Sequence, residues 1–204
     1  MFLLDLPATL IENKKNGWKR RNRLLYSIFK IIVDAATTIL GGAFLFRFWI
    51  QIARARPPMQ IAHLLFLLTD WLIKPLRKAI PNWAGYDWST LIAAILMAVV
   101  SALFDSWLIN YFSAKIVWLL TVLSLLNWII YGFMGLLIIE TVFSWVNPYS
   151  PVAAFVREMN KPLLQPIRRV LPTFGGFDFS TLVAFFLLQL ISRVFTHLIL
   201  SNLL

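Results

Sequence analysis

Four long apolar runs decide what this chain can fold into: Ile31 to Ile52, Ser89 to Phe112, Ile116 to Val146 and Phe179 to Leu204. Few ionisable residues interrupt them, Asp34 and Arg47 in the first, Asp105 in the second, Glu140 in the third, and Arg193 with His197 in the fourth. At about 1.5 Å of helical rise per residue, each run reaches across a hydrocarbon core of about 30 Å, which takes roughly 20 residues. Lipid offers the backbone no hydrogen bonds, so segments of this kind span as helices. Composition agrees, with 60% of the 204 residues hydrophobic and 14% charged, against about 45–50% and about 25% in soluble domains. The expected class is an all-α membrane protein with four transmembrane helices.

A second feature divides those helices into two sets. The stretch Pro75 to Leu91 returns 91 residues later as Pro166 to Leu182, with Pro75, Arg77, Pro81, Gly85, Asp87, Ser89, Thr90 and Leu91 matched by Pro166, Arg168, Pro172, Gly176, Asp178, Ser180, Thr181 and Leu182. A fixed offset signals one supersecondary unit built twice. The offset extends upstream: Ile61, Leu64, Leu65, Leu68 and Leu72 form a helical stripe, as do Val152, Phe155, Val156, Met159 and Leu163. These stretches are too short and too polar to cross a bilayer, which predicts an amphipathic interfacial helix between the two spans of each half. The division is a basic tail over residues 1–29, repeat 1 over 30–113 and repeat 2 over 114–204. Two spans per half make the repeats parallel. Both copies of the block then share one face, with the N-terminus, the Phe112 to Lys115 turn and the C-terminus on the other.

Prolines are expected to frame the interfacial helices, Pro57 and Pro58 or Pro148 and Pro151 at the start, Pro75 or Pro162 and Pro166 at the end. Pro81 with Gly85, and Pro172 with Gly176, precede an Asp-x-Ser whose Asp87 and Ser89, or Asp178 and Ser180, suit the N-terminus of the next span as caps. The net charge of +10 gathers beside spans, so anionic lipid is the expected partner and nucleic acid is not. Arg77, Lys78, Arg168 and Arg169 are the candidate contacts for lipid or for a partner. The basic residues divide nearly evenly between the two faces, so they do not orient the chain by the positive-inside rule. The segment ahead of the first span reads as a surface tail, since its basic cluster follows its apolar residues, the reverse of a secretory signal.

The paired motif, P-[LI]-R-[RK]-x-[IL]-P followed by G-x-D-x-S, resembles the YggT family of small bacterial and plastid membrane proteins. Phe46-Arg47-Phe48-Trp49-Ile50-Gln51 and Ser144-Trp145 are similar to that family's first and third spans. Thr181 stands where the family's second motif usually continues with proline, and the basic tail has no counterpart in the pattern. The resemblance implies a bacterial inner membrane location and a role in membrane organisation or assembly, through links to cell division, cytochrome maturation, nucleoid distribution or osmotic tolerance. It implies no catalytic residues.

Chemistry has little to work with. The chain has no cysteine, and its only histidines, His63 and His197, fall in separate halves, so neither a catalytic set nor a metal site is expected and no cofactor is implied. Intramembrane charge is the sharper signal. By depth, Arg47 could meet Glu140 and Asp105 could meet Arg193, unless the shallower pair snorkels. The expected function is a non-enzymatic scaffold binding anionic lipid, a membrane-protein partner or a second copy. The alternative is an oligomeric channel or transport component lined by these charges with Gln51, Asn127 and Gln189.

Overall fold

The computed structural model describes residues 8–80, 85–108, 112–170 and 179–201. Six helices occupy them: α1 Ala8–Ala53, α2 Met59–Ala79, α3 Trp88–Leu108, α4 Ala114–Val146, α5 Pro151–Val170 and α6 Phe179–Ser201. Four are long and apolar enough to cross a membrane, over Ser27–Ala53, Trp88–Trp107, Ala114–Val146 and Phe179–Ile199. Residues Met1–Ala36 form one compact unit and Thr37–Leu204 a second. In the first, the basic segment is helical from Ala8, and Lys30 pairs with Asp34 one turn on, at 3.3 Å. The motif positions Pro81, Pro172, Gly176 and Asp178 lie outside the described residues.

Local chemistry sets the helix ends of the second unit. Arg54 takes φ 52° after α1, where its amide bonds the Gln51 carbonyl and the Ala55 amide reaches back to Ile50. This is a Schellman stop, with arginine where glycine is usual and with Ala55 buried beside it. Pro58 precedes α2, as the sequence predicts. Ser150 caps α5, its hydroxyl accepting from the Ala153 amide at 3.0 Å, and Pro151 occupies the first turn. Gly85 turns the chain into α3 at φ 78°, a conformation that residues with a Cβ rarely adopt.

The prolines expected at the ends of α2 and α5 lie inside them. Both helices run on through Pro75, or through Pro162 and Pro166, and so carry Arg77 with Lys78 and Arg168 with Arg169 in their last turns. An interior proline frees one carbonyl a turn earlier. All three prolines are exposed, so those carbonyls face outward where water or headgroups can satisfy them.

Within the second unit α4 is central, packing on α3, α5 and α6, while α2 packs on α3 and α5 on α6. Apolar burial gives little drive between helices in lipid, so close approach by small residues matters more. Ala94, Ala98 and Ala102 are fully buried along one side of α3. Three clusters hold the rest. Phe44, Ile73, Ala93 and Ala94 join α1, α2 and α3, and Ile130, Leu137, Leu164, Ala184 and Leu188 join α4, α5 and α6. The third packs Phe46, Trp49 and Ile50 of α1 and Ile61 of α2 against Leu136 and the Phe155, Val156 and Met159 face of α5. The ends of α2 and α5 that carry Ile61 and Phe155 therefore meet at one place.

Candidate functional site

Two of the charges inside the apolar runs, Arg47 and Glu140, are answered by α2 and α5. Arg47 is buried on α1, and its Nη1 donates to Thr69 Oγ1 and to Asp70 Oδ1, both at 2.6 Å. Its guanidinium also lies over the Phe66 ring, 4.7 Å from the centroid. Lys74 adds a second contact to Asp70 at 3.3 Å. The Asp70 carboxyl is held below its ordinary value, chiefly by the Arg47 hydrogen bond and also by Lys74, with burial pushing the other way. On α4 the buried Glu140 accepts from Asn160 Nδ2 at 2.7 Å and from Arg168 Nη2 at 3.2 Å. Arg47 and Glu140 thus each have a counter-charge and a neutral polar partner, the condition under which burial is tolerable.

This arrangement corrects two sequence expectations. Arg47 and Glu140 do not pair with each other, because α2 supplies Arg47 with Asp70 and α5 supplies Glu140 with Arg168. Among the described residues no ion pair joins Asp105 to Arg193: α3 and α6 each pack on α4 and do not touch each other. Similar depth put these charges at one level, but it says nothing about which way each helix faces.

The motif residues divide between structure and surface. Arg77 donates through Nε to Asp87 Oδ2 at 2.9 Å, with Nη2 closing on the same oxygen. The Asp87 amide donates to Gln51 Oε1 at 2.9 Å, and its carbonyl accepts from the Thr90 amide and hydroxyl. Asp87 therefore joins α1, α2 and α3, and its carboxylate goes to Arg77 where a cap would have bonded the first amides of α3. Ser89 Oγ, Asp87 Oδ1 and Asn160 Oδ1 are buried with no hydrogen-bond partner. Ser180 is buried at the start of α6. Pro75, Pro166, Lys78 and Arg169 are exposed, as are His63 on α2 and His197 on α6.

Thr69, Asp70 and Asn160 were not singled out as partners of buried charge, yet a signal existed. Thr69 and Asn160 are 91 residues apart, and each interrupts an apolar row, Leu65–Thr69–Ile73 or Val156–Asn160–Leu164. All six are buried. The row facing inward on α2 is thus rotated from the expected stripe, whose Leu64 and Leu68 are exposed.

Two cavities flank the central helix. One, about 570 Å³, lies between α1 and α4 and is almost wholly apolar, floored by Gly42 and Gly132. The other, about 1190 Å³, lies between α4 and α6 under α5 and includes Glu140, Arg157 and Arg168 in its wall.

A family model described as CCB3/YggT matches residues 25–108 and 119–199. The chain belongs to the CCB3/YggT family. An uncharacterized protein of Pseudomonas aeruginosa is 34% identical over 157 residues, covering 74% of this chain and 79% of the relative. The uncharacterized protein YggT of Escherichia coli K12 is 28% identical over 166 residues, 81% of this chain and 85% of its own length. A Vibrio alginolyticus relative, an uncharacterized protein in the proC 3' region, is 34% identical over 148 residues, 70% and 80% of the two chains. No solved structure matches. The residues this CCB3/YggT chain shares with the family model take in both charge clusters just described.

Proposed function

We propose that this protein is a non-catalytic membrane scaffold that gathers anionic lipid, or an acidic partner, at the face where α2 and α5 lie. The observation that carries the reading is the pair of basic last turns, Arg77 with Lys78 and Arg168 with Arg169, all exposed at the C-terminal ends of α2 and α5. Basic side chains at headgroup depth attract anionic lipid by about 1 kcal/mol each. Arg77 and Arg168 keep about two-fifths of their side-chain surface exposed despite their carboxylate partners. The two halves act as parallel repeats, a reading supported by buried pairs one offset apart, Ile73 with Leu164 and Ala93 with Ala184.

A polar path is the competing arrangement, and the local pairing of Arg47 and Glu140 and the use of Gln51 by Asp87 weigh against it. The bacterial relatives favour the plasma membrane as the site of action. Contributions to cell division, cytochrome maturation or osmotic tolerance are roles such a scaffold would serve, with membrane-protein partners or a second copy of the chain.

The test is lipid selectivity in mixed vesicles. Replacing Arg77, Lys78, Arg168 and Arg169 together by Gln should lower enrichment of phosphatidylglycerol around the protein relative to phosphatidylcholine. Unchanged enrichment, or ion flux carried by the purified wild type, would overturn the scaffold reading.

A further inference from the structure

We propose that the cavity between α4 and α6 is a binding site for a single anionic glycerophospholipid taken sideways from the bilayer. The site rests on the scaffold reading only in requiring α4 and α6 to cross the membrane.

Its wall is graded in polarity along the helices. Trp145 and Ser144 of α4, with Arg157 and Arg168 of α5, lie at the end beside the interfacial helix, and Glu140 follows about one turn down α4, bonded to Arg168. Ile138 on α4 and Phe185 and Phe186 on α6, below Leu182, line the part further in. Phe186 is seven residues past Phe179, the first residue of α6, which places it about 10 Å deeper. A headgroup above and acyl chains below match that gradient. Leu182 and Phe186 are also exposed, 54% and 62%, so the opening faces the lipid side of the helices and a bilayer molecule reaches it without crossing water.

Charge selects the headgroup. Two arginines against one glutamate leave the polar end with a net positive charge. Arg157 spends a single bond, at 3.0 Å, on the Pro148 carbonyl, and a guanidinium carries five N–H donors, enough to grip a phosphodiester in addition.

The counterpart place in the first half makes the contrast. Positions 91 residues before Ile138, Val142 and Arg157 are Arg47, Gln51 and Phe66. There Arg47 lies over Phe66 and bonds Asp70, and Gln51 is held by the Asp87 amide. In the first half these side chains satisfy one another. In the second half the arginine stands on α5 and an apolar residue, Ile138, on α4, leaving Arg157 directed at a cavity of about 1190 Å³, larger than a typical small-molecule pocket of roughly 300–1,000 Å³.

The experiment counts lipid retained per chain by native mass spectrometry, after the full-length protein is extracted from bilayers of equal phosphatidylglycerol and phosphatidylcholine. Wild type should retain a single phosphatidylglycerol. Arg157→Gln should lower that retention several-fold and erase the preference over phosphatidylcholine, and Leu182→Trp, which fills the apolar half, should lower retention of both lipids. Both residues are exposed, so neither change threatens the fold. Lys161→Gln, an exposed α5 cation outside both the cavity and the surface pairs, should leave the retained lipid in place, which shows that Arg157 acts through its place in the cavity and not through net charge. Retention unaffected by Arg157→Gln and Leu182→Trp would overturn the site, as would equal loss in the Lys161→Gln variant. Displacement of the lipid by soluble glycerol phosphate would do the same, marking a simple anion site.

Discussion

The Arg47–Asp70 pair is unequal, and the inequality predicts how its two halves respond to mutation. Arg47 keeps only 9% of its side-chain surface exposed, whereas Asp70 keeps 30% and has Lys74 beside it. Asp70→Leu strands a buried guanidinium and should cost about 3–5 kcal/mol. Arg47→Leu leaves a carboxylate that water and Lys74 still reach, and should cost about 1–3 kcal/mol. The double variant should recover much of the larger loss, because replacing both members by apolar groups can be neutral. Thermal unfolding in detergent measures all three, and additive losses would sink the pairing. The same pair sets an acid limb. The folded Asp70 carboxyl titrates below its ordinary value, so the unfolded chain takes up the proton first. The contribution of the pair is then complete above the unfolded value of about 3.9 and fades as pH falls through the folded one. The stability gap between wild type and Asp70→Asn should be constant from neutral pH down to about pH 5 and narrow below about pH 4.

At the scale of elements, α1 and α4 approach through one glycine and not through its neighbour. A Cβ on Gly41 would overlap the indole of Trp128, whose Nε1 donates to Thr38 Oγ1 at 3.2 Å, whereas a Cβ on Gly42 meets nothing. Alanine in a helix gains about 0.5–1 kcal/mol over glycine, so Gly42→Ala should be neutral or stabilising. Gly41→Ala has to displace a packed ring and should lose about 1–3 kcal/mol. Equal melting temperatures would show that Trp128 yields freely. The existence of these helices was legible in the apolar runs and in the stripes of α2 and α5, and the starts of α2 and α5 were legible in Pro58 and Pro151. The ends were not, because Pro75, Pro162 and Pro166 read as stops only if their freed carbonyls are buried, and all three face outward. The partners of buried charge were hidden for a related reason. Thr69 and Asn160 lie on helices whose inward face could not be told from sequence while Leu64, Leu67 and Trp71 make the outer face of α2 apolar as well.

For the molecule as a whole, the number of crossings fixes which ends of the helices share a side. Between the last turn of α2 and the last turn of α5 the chain passes through α3 and α4, each long and apolar enough to span. If both span, the chain returns to the side from which it left. The parallel repeats expected from the 91-residue offset carry the same parity, because a unit containing an even number of spans keeps its orientation when copied. Charge could not supply the direction, since basic residues flank both ends of the spans. The decisive measurement uses single cysteines at Ala79 and Val170, both exposed and both the last residues of their helices, in a chain that has no cysteine of its own. In sealed membrane vesicles an impermeant maleimide should label both variants from the same side, with Lys115→Cys at the start of α4 labelling from the other. Reaction of Ala79→Cys and Val170→Cys from opposite sides would leave an odd number of crossings between them. Neither the parallel repeats nor a common basic face for lipid would survive that result.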